Sequence, residues 1–467
     1  MTNFIETGKC SRRPKHRRHQ DRPVFTDGPI ILTEEDNVML RHFTIKNILT
    51  LIIFSFVLLA SLQHVRADAV SDWNEIAVQR MGIAGRPAAS GAIDIAVVHA
   101  AIYDAVQAIE RRYEPYYVEI PGATGSPIAA TAKAARDVLV NRFPAQAGDI
   151  DIQYSDYLIL HGISVNDPGI AVGARAAAAI IAARSCDQSF PAAFTPFNGV
   201  VAVGRWRPTT PGTTMAAPWQ AGVAPFLGTR PSQFRSGPPP ALSSVEYARD
   251  FNEVKRMGAL TGSSRTAAQT DQAQFWAGNF VVMLNRMLRD LAASNITDIA
   301  DSARLFAMAD LAMADAVNAA WYDKIYHNVW RPVTAIHEAD KDGNPRTAAD
   351  ESWASLINSP PYPDYVSGAN AITAAAVFSC ERFFGTDNMS FSVFTTNTAN
   401  TIQDVREFNK FSDVAEEVVD ARIWLGIHFR FADVKARTLG REVAAWGHEN
   451  YFRPTTGPDM LLAQGRR

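Results

Sequence analysis

The sequence predicts an all-α protein: two packed helical bundles with a long irregular connecting loop. Three observations carry this prediction. Alanine-rich segments with apolar residues every three to four positions recur along the chain. Alternating apolar and polar runs of the strand type are scarce. Residues 187–243 gather many of the prolines and glycines between two helical blocks.

The elements follow in order. Residues 68–186 read as the N-terminal bundle, with helices over 90–111, 128–142 and 169–184. Alanine on a helix face lets neighbours approach closely, which suits compact packing. Residues 187–243 read as the connection, since runs such as Gly237-Pro238-Pro239-Pro240 admit no helix. Connections of this length either wrap a surface or lie over a binding site. Residues 244–467 read as the C-terminal bundle, with helices over 267–294, 301–326, 369–384 and 415–425.

Composition narrows the function classes. Of 467 residues, 47% are apolar and 20% charged, which excludes a disordered or collagen-like chain. A net charge of −3 gives no global basic field for nucleic acid. Three cysteines exclude a disulfide framework. Cys186 and Cys380 either pair in an oxidising compartment or stay free.

Residues 48–62 form an uncharged apolar run, preceded by Arg41 and Lys46 and followed by Val65-Arg66-Ala67. This pattern predicts a signal peptide over 39–67, cleaved before Asp68, and hence a secreted or periplasmic protein. An uncleaved N-terminal membrane anchor is the alternative, although a spanning helix needs about 20 apolar residues. Residues 1–38 read as an unstructured extension, or as a start upstream of Met39. Residues 1–67 hold 10 Lys/Arg and 6 Asp/Glu, so the remaining 400 residues carry 35 against 42, a net −7. A local cluster of cations in an acidic chain is therefore informative.

Three such elements lie between residues 324 and 433. Lys324 and Arg331 are seven apart, about two turns, which places both on one helix face; Pro332 ends that helix. Ser367-Gly368 follows a proline-rich stretch and opens an alanine-rich helix. Ser367 is an N-cap residue, and the helix offers its first N–H groups to an anion. Arg422 and His428 are six apart and converge only if the backbone leaves the helix near Gly426. Taken singly, these are also compatible with a solvated edge, an ordinary cap and a buried histidine. Together they supply three cations, neutral donors and one nucleophilic or ligating nitrogen, a set suited to a tetrahedral oxyanion.

The order K-x6-R-P, then S-G, then R-x5-H resembles the signature of the vanadium-dependent haloperoxidase and type 2 phosphatidic acid phosphatase superfamily. NVWRPVTAI and RIWLGIHFRF look like the haloperoxidase branch. The resemblance implies a vanadium chloroperoxidase-like fold and a vanadate cofactor, with phosphate able to take the same site. It implies that Lys324, Arg331 and Arg422 neutralise the oxyanion, and that Ser367 and the Gly368 amide donate to it. His428 would be the axial ligand of vanadate, or the nucleophile of a phosphatase. The implied substrates are hydrogen peroxide, a halide and an organic acceptor, or a phosphoester.

The sequence departs from that pattern at four places. Val366 replaces a proline, and Ala369 replaces the histidine that serves as acid–base. Ala421 replaces a serine. Ala432 replaces an aspartate that orients the ligand histidine, and the acid stands one position later at Asp433. Substitutes for the missing groups are Asp433, His327 and Asp364, with His337 and Glu338 behind them. The alternatives to a haloperoxidase are an acid phosphatase acting through a phosphohistidine and a catalytically impaired phosphate- or vanadate-binding homologue. No Rossmann, P-loop or zinc motif competes.

Overall fold

The computed structural model describes residues 68–455. The apolar run at 48–62 and the basic segment before it lie outside the described residues. The protein is mostly helical. The first helices are α1 (Ala69–Ile83), α2 (Ala88–Glu110), α3 (Pro127–Arg142), α4 (Ala147–Leu160) and α5 (Pro168–Arg184). After the long connection come α6 (Val245–Met257), α7 (Ala267–Phe275), α8 (Phe280–Asn295), α9 (Ile299–His327), α10 (Pro332–His337) and α11 (Gly368–Phe384). A two-stranded antiparallel hairpin, β1 (Asn388–Phe394) and β2 (Val405–Lys410), precedes α12 (Phe411–Trp424) and α13 (Arg430–Asn450).

The helix expected over 267–294 is two helices. Asn279 caps the second, its side chain accepting from the N–H of Val281 and Val282, and Gly278 relieves the turn before it. The hairpin was not expected. It buries Phe391 against Phe408 on one face, and its other face pairs Ser392 with Glu407 and Phe394 with Val405.

Helix α9 organises the molecule. Asp298 caps it by accepting from Ala300 and Asp301, and small residues along its length leave nearly every position buried. It packs against α2 on one side and against α11 and α13 on another, and one apolar core runs through all of them. Helix α2 is apolar enough to cross a membrane, but its apolar surface is buried in this core.

Residues 187–243 are irregular, as expected, apart from one short 3-10 turn at Pro218–Gly222. They are tied to the C-terminal half of α9. Asp315 accepts the N–H groups of Phe226, Leu227 and Gly228 at 2.6, 2.7 and 2.9 Å. Asn318 accepts from Gln220, Trp321 donates to the Ala216 carbonyl, and Asp323 accepts from the Ser236 N–H.

A buried polar cluster lies on the other half of α9. Asn285 donates to Asp310 at 3.0 Å, and Asn74 donates to His99 at 2.8 Å and to Asn285. Arg289 closes the set by donating to the Asn74 side-chain carbonyl. Cys186 is exposed and Cys380 buried, and both are free.

Candidate oxyanion site

The site forms where three chain breaks meet. Lys324 lies in the last turn of α9, which ends at His327 because Asn328 turns left-handed (φ 50°). Residues 329–331 then run extended. Pro332 favours this, since a proline holds the residue before it out of the helical region. Arg331 has φ −82° and ψ 157°, and Pro332 opens α10 rather than closing α9. The expectation of one helix face carrying both cations is therefore corrected. Lys324 and Arg331 converge across a helix end, with Val329 bridged to Arg205 and accepting from the Asp364 N–H.

The second break precedes α11. Ser367 occupies the N-cap, as expected, but its side chain makes no cap bond. Its N–H donates instead to the Ala432 carbonyl at 3.2 Å. Among the described residues, the N–H groups of Gly368, Ala369 and Asn370 have no hydrogen-bond acceptor. A Cβ on Gly368 would lie 2.8 Å from the Trp321 ring, so glycine keeps this cradle open.

The third break joins Arg422 to His428. Helix α12 ends at Trp424, Gly426 turns left-handed (φ 80°), and α13 begins at Arg430. The departure from helix expected at Gly426 is present, and it turns both side chains inward.

The three cations are buried: Lys324 and Arg331 are 0% exposed and Arg422 7%. Lys324 donates to the carbonyls of Pro363 and Asp364 at 2.7 and 3.1 Å. Arg331 donates to the carbonyls of Tyr362 and Ile427, and one of its nitrogens lies 3.2 Å from His428 Nε2. Arg422 donates to the Trp276 carbonyl at 2.9 Å. Arg331 Nη2 and Arg422 Nε are buried without a partner. An unpaired buried polar atom is costly, and a cation more so. Burial, then the neighbouring cations, hold the Lys324 ammonium well below its usual pKa; burial first lowers both arginines too. A multivalent anion would offset that field and take up the unpaired donors together with the free amides.

His428 is buried, and its Nδ1 lies 2.8 Å from Asp364 Oδ1. Burial, then Arg331, Lys324 and Arg422, push its pKa well below the usual value, so the ring is neutral. The Asp364 carboxyl thus sits beside Nδ1 without an aligned hydrogen bond, and Nε2 faces Arg331 among the cations. Asp364 also lies 3.6 Å from Arg331, and burial raises its pKa to about 7 against the lowering by Arg331 and Lys324.

The remaining expected residues divide. Asp433 does not reach His428; it accepts from Asn370 at 2.8 Å, and burial followed by Asp364 raises its carboxyl well above the usual range. His327 turns away, with Nε2 3.4 Å from the Ser236 carbonyl and its ring edge-on to Tyr365. His337 bonds the Trp353 carbonyl, and Glu338 pairs with Arg207. Of the proposed substitutes, only Asp364 meets the histidine. Sequence reasoning missed Tyr362, whose ring centroid lies 4.8 Å from Lys324 Nζ and 4.9 Å from the Arg331 guanidinium. Its signal was an aromatic residue two positions before Asp364 in the proline-rich stretch.

Residues 304–457, which carry all of these groups, match the family model of the VCPO second helical-bundle domain. Over those residues the chain is similar to that haloperoxidase domain. Vanadium chloroperoxidase of Curvularia inaequalis is 27% identical over 297 aligned residues, covering 48% of each chain, so the match spans about half that relative's length. A bacterial vanadium-dependent iodoperoxidase superposes with a TM-score of 0.71 at 22% identity, covering 83% of this chain and 97% of that one. A holo bacterial vanadium-dependent chloroperoxidase gives 0.62 at 18% identity, covering 77% and 90%. These two structures share this chain's helical fold.

Proposed function

We propose that the protein is a vanadium-dependent haloperoxidase-like enzyme that uses hydrogen peroxide to oxidise a halide, exported through its N-terminal signal segment. The observation that carries this reading is the buried His428, its Nδ1 2.8 Å from Asp364 and its Nε2 turned to Arg331 at 3.2 Å, within a set of three buried cations. Bound vanadate would supply a Lewis-acid centre that activates peroxide toward halide.

The chain's own residues have defined parts. Lys324, Arg331 and Arg422 hold the oxyanion by charge, and the arginines add directed N–H donors. The first amides of α11 donate along the helix axis, where the dipole favours negative charge. Asp364, 2.8 Å from Nδ1, would favour the proton on that nitrogen and leave Nε2 to hold the group. Trp321 and Tyr362 cover the cations and limit water. A phosphatase needs a proton delivered to its leaving group. The residue at that place is Ala369, and loss of a general acid typically costs about 10²–10⁴ in rate. Phosphoester hydrolysis is thus disfavoured relative to peroxide chemistry.

The test is bromide and iodide oxidation by the protein with hydrogen peroxide, with and without orthovanadate. Turnover that requires both orthovanadate and His428 supports the reading, and His428→Ala is expected to abolish it. Orthovanadate binding without turnover at any pH would overturn it in favour of a catalytically silent anion binder. A phosphohistidine trapped at His428 would overturn it in favour of a phosphatase.

A further inference from the structure

Resting on the reading of an oxyanion site, we propose that the Tyr362 phenol is a direct hydrogen-bond donor to the bound oxyanion, filling the place left by the histidine absent at Ala369. Three features of the site point there.

The first is position. The Tyr362 ring lies over both Lys324 and Arg331, and packs tilted, with centroids 4.8 Å apart, against Trp321, the residue that bounds the Gly368 cradle.

The second is rigidity. The Tyr362 carbonyl accepts from Arg331 Nε at 2.8 Å, its N–H donates to the Pro360 carbonyl at 2.8 Å, and the Pro361 carbonyl accepts from the Ala216 N–H. The ring is therefore fixed from its own backbone, without help from the hydroxyl.

The third is the hydroxyl itself. Tyr103, Tyr113, Tyr116, Tyr157 and Tyr365 all spend theirs on a protein acceptor. Among the described hydrogen bonds, that of Tyr362 has none, as for Tyr117, Tyr154, Tyr247, Tyr322, Tyr326 and Tyr451; of these, Tyr362 is the one whose ring lies over Lys324 and Arg331. Its residue is half-buried while the cations beneath are fully covered. A phenol set on a cationic floor, with no acceptor of its own, is a donor waiting for an anion. It supplies the neutral O–H or N–H donor that Ala369 cannot, and it does so from the proline-rich stretch rather than from the helix.

The experiment measures orthovanadate and inorganic phosphate binding calorimetrically for the wild type, Tyr362→Phe and the exposed control Tyr326→Phe. The ultraviolet difference spectrum of tyrosine is recorded on adding anion. Loss of a hydrogen bond to a charged acceptor should weaken orthovanadate binding about 10- to 100-fold in Tyr362→Phe and leave Tyr326→Phe unchanged. The wild type should show an anion-dependent tyrosine signal that Tyr362→Phe lacks. Equal affinity of wild type and Tyr362→Phe, with no tyrosine signal, would overturn the assignment while leaving the oxyanion site intact. Failure of the wild type to bind either anion would overturn the underlying reading instead. Because phenylalanine keeps the ring on Lys324 and Arg331, the variant removes the hydroxyl alone.

Discussion

Helix α9 carries two buried charged clusters of opposite design. One surrounds Asp310 and the other Lys324, 14 residues on, or about 21 Å along the helix. Around Asp310, burial raises the carboxyl to about 8 and lowers His99 to about 3, so both groups are neutral near pH 7. Asn74 and Asn285 bridge them. Around Lys324 the cations are likewise buried, yet unpaired donors remain on Arg331 and Arg422 and the leading amides of α11 stay free. The first cluster is linked through its asparagines and leaves only His99 Nδ1 and Asp310 Oδ2, on neutral groups, without a partner. The second leaves donors on fixed cations, which an anion would complete. The difference teaches that burial alone does not mark a site; unpartnered donors on several converging cations do.

Four measurements break or sharpen this contrast. The largest effect is expected from Arg422→Met. Orthovanadate affinity should fall at least about 100-fold, while unfolding free energy changes by less than about 1 kcal/mol, because an apolar side chain replaces an incompletely paired buried cation. A parallel collapse of stability in calorimetry would show that the cations hold the fold, and the contrast would be lost.

The reverse pattern is expected at the Asp310 cluster. Asn285→Ala removes the link between Asn74 and Asp310 and should cost about 2–3 kcal/mol of stability, with orthovanadate affinity unchanged. Reduced affinity would mean that the two ends of α9 are coupled.

The third test is pH. Asp310 holds its proton more tightly in the folded state, so its contribution is complete below about pH 4 and is lost as pH rises toward 8. His99 behaves oppositely: its contribution is complete above 6.5 and is lost as pH falls toward 3. The two slopes cancel between about pH 4 and 6.5, and only that of Asp310 remains above. Between pH 6.5 and 8 the wild type should therefore lose about 2 kcal/mol more than Asp310→Asn in denaturant titrations. Parallel curves would show that Asp310 is ionised in its cluster.

The smallest effect is expected from Gly368→Ala, whose methyl group would press on Trp321. About 1 kcal/mol of stability should be lost, with a modest weakening of anion binding as the cradle narrows. An unchanged thermal midpoint would mean that the Trp321 ring yields freely.

Much of this was legible in the sequence for definite reasons. Helices such as α3, α5 and α9 carry sustained three-to-four spacing, and the structure reproduces them within about two residues. Helix α13 was missed because its N-cap, Phe429, offers no capping side chain and the helix carries charge along its outer face. The split between α7 and α8 was missed because Asn279 acts through a cap, which periodicity does not register. At the site, residue types and order identified Lys324, Arg331, Arg422 and His428. The geometry relating Lys324 to Arg331 was misread, because Pro332 was taken to end a helix when it starts one. The partner of His428 could be named as a candidate but not chosen. Asp433 is near in sequence and Asp364 is 64 positions away, and only the fold brings the distant one to Nδ1.

The stapling of the long connection to α9 has a consequence for how such a protein can change. Its anchors, at Ala216, Gln220, residues 226–228 and Ser236, fall on the same stretch of helix that ends in Lys324. Between anchors the chain is irregular and largely free of regular backbone pairing, so insertions and exchanges there leave the helix and its cation where they are. The connection is thus a set of interchangeable spans hung on fixed pegs. Variation can accumulate in those spans without moving the helix that carries Lys324.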